Sequence, residues 1–77
     1  MEKSVFYHAG CSVCQNAERE IIDLIGKENV EIVHLGEQKD RIADAEREGV
    51  KSVPALKTPS GSILHLNYGA SIDEVKG

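Results

Sequence analysis

A dithiol motif set at the end of a strand limits this chain more than any other feature. Its two cysteines, Cys11 and Cys14, lie three positions apart in "FYHAGCSVCQNAEREIIDLI" (6–25). The run "SVFYH" (4–8) just before them is β-rich and ends in Ala9-Gly10. From Cys11 or Ser12 to about Ile25 the pattern becomes helical, with Cys14, Ala17, Ile21, Leu24 and Ile25 recurring on one side. Gly26 follows as a C-terminal stop. Cys11 therefore falls where strand hands over to helix. Unpaired N–H groups there carry roughly half a positive charge, which favours a thiolate. Cys14, one turn further in, shares its side with Ala17 and Ile21 and is the more sheltered thiol. An exposed nucleophile beside a sheltered resolving thiol is what dithiol exchange requires.

The rest of the chain supplies short elements in regular order. "VEIVHL" (30–35) reads as a second strand, rich in β-branched residues. "EQKDRIADAERE" (37–48) reads as a charged helix with a narrow stripe of Ile42 and Ala45, stopped by Gly49. "SVPALKT" (52–58) is a strand entered through a proline, "PSG" (59–61) a turn and "SILHLNY" (62–68) the returning strand of a hairpin. "GASIDEVKG" (69–77) offers Ser71 as N-cap of a last, short helix. The opening strand–helix–strand implies a parallel pair joined by a right-handed crossover. The expected architecture is α/β: one domain over 1–77, a four-stranded mixed sheet with helices on both faces.

Composition narrows the partners. A chain of 77 residues buries only roughly 60% of the surface its unfolded form exposes, so a partner subunit bears on its stability. Thirteen acidic against nine basic residues give a formal charge of −4 without a basic stripe, which argues against nucleic acid. No apolar run approaches the roughly 20 residues of a membrane span, and no leader-like segment opens the chain. A cytoplasmic location is the expectation. In that compartment a structural bridge closing so small a loop is disfavoured. A tetrahedral metal site needs four ligands, and His8, His34 and His65 lack zinc-finger spacing relative to the cysteines. No metal site within one chain is expected, whereas a metal shared across a dimer stays open.

The second constraint is Pro54, 40 positions after Cys14 in "GVKSVPAL" (49–56). A proline at a strand start donates nothing to the ladder. Were its peptide bond cis, the backbone of Val53 would be turned out as a free edge on which an extended substrate could pair while its sulfur approaches Cys11. Strand, CxxC and helix, then Val53-Pro54 ahead of a terminal hairpin, together resemble the thioredoxin superfamily, and the small glutaredoxin-like proteins most. The resemblance runs from Val5 to about Asp73. It implies the thioredoxin fold and thiol–disulfide oxidoreductase activity, with Cys11 attacking, Cys14 resolving and Pro54 as a cis-proline facing them. The implied partners are disulfide-bearing protein clients, and a reductase or glutathione as co-substrate, with no tightly bound cofactor.

The chain departs from that family at several positions. Ser12-Val13 replaces both the Gly-Pro typical of thioredoxins and the Pro-Tyr typical of glutaredoxins. His8 stands where glutaredoxins usually place a lysine near the carboxylate of bound glutathione. It reads either as a partly cationic stabiliser of the Cys11 thiolate or as a solvated loop histidine. The glutathione-holding Gly-Gly-x-Asp-Asp stretch becomes "GASID", in which only Gly69 and Asp73 match. The substrate-binding set implied by the resemblance is thus His8, Ser12, Val53, Gly69 and Asp73. The family's last helix, which packs beside the first, is shortened here. Apolar residues among Ile21, Ile25, Ile63 and Leu66 are therefore expected to be partly exposed, and a two-fold homodimer is the common way to cover such a patch. The rival reading is a thioredoxin-fold dimer or binding module whose CxxC senses redox state or binds metal without turnover.

Overall fold

The computed structural model describes residues 3–76 of the chain. Strand β1 (Ser4–His8) leads into helix α1 (Ser12–Ile25), followed by β2 (Val30–His34), α2 (Ile42–Glu48), β3 (Ser52–Lys57), β4 (Ile63–Ser71) and α3 (Ile72–Lys76). The sheet order is β2-β1-β3-β4. β1 pairs parallel with β2 from Ser4–Val30 to His8–His34, and antiparallel with β3, where Tyr7 faces Ala55. β3 and β4 form the hairpin, closed by the Gly61 N–H donating to the Thr58 carbonyl at 2.9 Å. The mixed α/β architecture is the one the sequence leads to.

Strand alternation divides the interior into two thin cores. Phe6, Ile21, Val30 and Leu56 make one beneath α1, with Ala17, Ile22, Ile25 and Ile32 around it. Tyr7, Val33, Leu35, Ile42, Ala45, Val53, Ala55 and Ile72 belong to the other, which α2 and α3 cover and into which Cys14 reaches.

Four local readings need correction. The charged helix does not begin at residue 37: a single 3₁₀ turn (Lys39–Arg41) precedes a seven-residue α2. The N–H groups of Glu37 and Gln38 both donate to the His34 carbonyl, so this backbone is spent turning off β2. β4 does not stop at residue 68 but continues to Ser71, with Val53 facing Ala70 and Ser52 facing Ser71 beyond a bulge. Leu24, on the expected apolar side of α1, is 82% exposed. Ile63 packs on the α2 side, not among the residues under α1.

The last helix is short, as expected, but it packs beside α2 instead of α1. Its Lys76 Nζ reaches Glu46 at 2.8 Å, an exposed pair that contributes little by itself. Ser71 begins α3 as a capping box: its Oγ accepts from the Glu74 N–H at 3.2 Å, and the Glu74 carboxylate accepts from the Ser71 N–H at 3.1 Å. Ser71→Ala removes half of this exchange and should cost about 1 kcal/mol, read as a lowered urea midpoint at unchanged m-value. An unchanged midpoint would mean that α3 is held by its packing alone.

Candidate functional site

The site is built where β1 ends. Gly10, at φ +81°, turns the chain out of the strand, a backbone conformation that favours glycine. Cys11 follows in extended conformation (φ −71°, ψ 161°) as the N-cap of α1, and its Sγ accepts from the Cys14 N–H at 3.1 Å. A sulfur thus takes the capping place usually given to a hydroxyl or carboxylate. Cys11 and Cys14 are joined as a disulfide with their Cα atoms 5.0 Å apart. Cys14 is wholly buried, whereas Cys11 is only half-buried. The first turn of α1 contains no acidic side chain, so nothing there offsets the positive end of a 14-residue helix facing Cys11.

β4 crosses directly against this bridge at Gly69. A Cβ at that position would lie inside contact distance of Cys11 Sγ, 3.1 Å from the Val53 carbonyl oxygen and 3.4 Å from Cys14 Sγ. Both sulfurs, the Val53 carbonyl and the Gly69 backbone therefore meet at one point. Val53 and Pro54 are fully buried, and the peptide bond between them is cis. On its β1 side the β3 ladder stops at Ala55, so the Val53 backbone is unmatched there.

The other residues implied by the resemblance lie differently. Ser12 is exposed as the first residue of α1. Asp73 is exposed on α3, beside a shallow hollow lined also by Glu46, Lys51 and Ser71, and no contact ties it to the sulfurs. His8 is buried at 6% exposure and is not a solvated loop residue. Its Nδ1 accepts from the Gly10 N–H at 3.2 Å, and its Nε2 lies 3.4 Å from Glu18 on α1. Its ring stacks on Phe6 and tilts against His34, with centroids 4.6 Å apart. Burial lowers the His8 pKa below its ordinary value near 6.5, and His34 adds to that. Glu18 and Glu37 oppose the shift without cancelling it.

His34 matters more than its place on a strand suggested. Its ring fills the space beside Gly10, where a Cβ would stand 2.8 Å from Nε2, and its Nδ1 accepts from the Glu37 N–H at 3.2 Å. The ring thereby holds the turn that carries Cys11. The signal in the sequence was the pair of glycines, Gly10 and Gly36, which both leave room for that ring. Among the described residues no cluster of three or more His, Cys, Asp or Glu is arranged to hold a metal ion, and no helix is long and apolar enough to cross a membrane.

Comparison with known proteins finds a relative among the solved structures. No family model matches the chain, and no curated protein matches it. The solution NMR structure of a dimeric thioredoxin-like protein from Nitrosomonas europea superposes with a TM-score of 0.86 at 55% sequence identity. The match covers 97% of this chain and 95% of that one.

Two outcomes follow from the geometry. Gly69→Ala should destabilise the disulfide form by about 1–3 kcal/mol through overpacking, and the dithiol form by less, because unbonded sulfurs can move aside. Equal losses in melts of the two forms would show that the new methyl meets something other than the bridge. His8 binds protons less readily folded than unfolded, so stability should fall as pH drops below about 6.5, until the folded-state pKa is also passed. His8→Gln should flatten that slope between pH 7.5 and 5.5. A slope identical to that of the parent protein would assign the pH dependence to other groups.

Proposed function

This chain belongs to the thioredoxin-like proteins, and from that premise we propose that it is a thiol–disulfide oxidoreductase working through Cys11 and Cys14. The supporting observation is the asymmetry of the pair: a half-buried sulfur at the uncompensated positive end of α1, bonded to a fully buried one. In the reduced protein the Cys11 thiolate attacks one sulfur of a client disulfide. A Cys11–client mixed disulfide forms, and the other client sulfur leaves as a thiolate that takes up a proton. Cys14, giving up its proton, then attacks Cys11 Sγ. The internal disulfide forms and the second client thiol departs, so two electrons have passed to the client.

An extended client segment would align on the β1 side of Val53, where the ladder ends, once that fully buried residue is uncovered. Gly69 keeps the β4 side of the sulfurs free of any side chain. Regeneration needs two further electrons, from a reductase dithiol or from two glutathione molecules, as supplied in the cytoplasm. Ser71 and Glu74 satisfy each other at the start of α3, so a glutathione carboxylate would find those two groups already engaged. That favours a protein reductase as donor. The dimeric state of the Nitrosomonas relative supports a homodimer here as well.

Cys11→Ser should abolish reduction of insulin or a comparable protein disulfide. Cys14→Ser should instead accumulate a Cys11–client mixed disulfide, visible by mass spectrometry of acid-quenched samples. If wild-type protein turns over no disulfide while its thiols respond to redox buffers or take up metal, the domain is a sensing or binding module.

A further inference from the structure

The face that α1 shares with β4 is uncovered by any other described element, since α3 turns to the α2 side. Leu24, Leu64 and Leu66 are 82%, 48% and 37% exposed. Leu64 faces Leu56 across the hairpin, which places it on the α1 side of the sheet, and Leu66 is on the same side. Between α1 and β4 lies a hollow of about 350 Å³, lined by Val13, Asn16, Ala17, Glu20, Ile21 and Leu66. On α1, Val13, Ala17, Glu20 and Leu24 recur at helical spacing and form one stripe along this hollow.

The two edges of the sheet differ in a way that bears on the occupant. Outer strands are ordinarily blunted by charge, and β2 follows that rule: its Glu31 is exposed and lies 3.7 Å from Arg41. β4, the opposite edge, runs as "ILHLNYGAS" with no Asp, Glu, Lys, Arg or Pro, and is regular from Ile63 to His65 before its bulge. Such an edge is a template for another strand. Antiparallel pairing with an identical strand is closed by a two-fold axis, so the same patch serves both partners.

Size extends the contact beyond the strand. A stable interface buries about 800 Å² per partner, roughly a sixth of the 4693 Å² this protomer exposes. Nine residues of edge, shortened by the bulge, are at most about 30 Å long, and at roughly 10 Å depth they supply no more than about 300 Å². The remainder has to come from the α1 stripe beside it, in which Val13, Ala17 and Leu24 flank the exposed Glu20.

We infer that a second copy of the chain covers this face: β4 pairs antiparallel with its two-fold mate, and Leu64, Leu66 and the Val13–Ala17–Leu24 stripe of both protomers pack together. The inference rests on the homodimer reading and names the surface that makes the dimer. Its test is an isotope-filtered NOE experiment on a mixture of ¹³C-labelled and unlabelled protein, run beside sedimentation equilibrium. Methyl NOEs between protomers among Val13, Leu24, Leu64 and Leu66 are expected. A dimer whose inter-protomer NOEs lie only on the β2 edge or the α2–α3 side overturns the surface and leaves the dimer standing. A monomer at every concentration overturns both, including the case where an added apolar peptide perturbs those methyls. In a second arm, Leu64→Glu and Leu66→Glu should each weaken dimerisation about thirtyfold or more, as loss of an interface anchor does, with unchanged far-ultraviolet circular dichroism. A folded variant that dimerises as tightly as the parent overturns the surface.

Discussion

The absence of a side chain at Gly69 governs how the last third of the molecule is laid down. β4 can run on to Ser71 only because its backbone passes the Cys11–Cys14 bridge where no Cβ fits. That extension brings Ser71 opposite Ser52 and lets the Ile72 N–H donate to the Lys51 carbonyl at 3.0 Å. Ile72 is thereby pinned in the core on the α2 side, and the capping box starts α3 in that direction. The open face between α1 and β4 is a consequence of the same step. One close approach thus closes the site against the sheet and leaves the groove between α1 and β4 open within the protomer.

Electrostatically, the site is set more by backbone than by side chains. Cys11 faces the N-terminus of α1, whose first turn has no acid to offset it. The nearest sequence candidate for a cationic helper, His8, is held below its ordinary pKa by burial, and its Nδ1 is engaged as an acceptor by Gly10. Near neutral pH it is therefore a neutral wedge between β1 and α1, holding the turn in place through Glu18 and His34. A fixed dipole needs no proton to act, so a thiolate stabilised this way keeps its stabilisation through the pH range in which histidines titrate.

What the sequence made legible was whatever local chemistry determines alone. The β-rich run before Cys11, the three-to-four spacing that follows and the Gly26 stop lead directly to β1 and α1. The turn around Gly61 and its flanking runs do the same for the hairpin. Local signals failed where a distant partner decides. Residues 37 and 38 look helical, but the His34 carbonyl draws both N–H groups back to β2. "GASID" looks like a helix entry, yet pairing with Ser52 and Val53 keeps its first three residues extended. Leu24 has helical periodicity without burial because no described element of the protomer lies over it. At the site, the two cysteines and the Val53-Pro54 dipeptide could be picked out from motif and spacing. The actual part played by Gly69, a gap and not a contact, appears only when β4 is placed against the bridge.

α1 serves both the cysteine pair and the open face, and its geometry keeps the two compatible. Its first turn holds the sulfurs, while the stripe from Val13 to Leu24 runs along the groove beside β4. Leu64 and Leu66 lie in the first half of β4, and Gly69 lies toward its other end. In the proposed dimer, a two-fold axis centred on the leucines carries the two bridges away from the axis in opposite directions. Val13 is the exception, since it stands between the cysteines and also lines the groove. Anything seated there fixes, by packing, a residue that stands between the cysteines. The dipeptide between the cysteines, which departs from the family at this very position, therefore has to satisfy a surface as well as a thiolate.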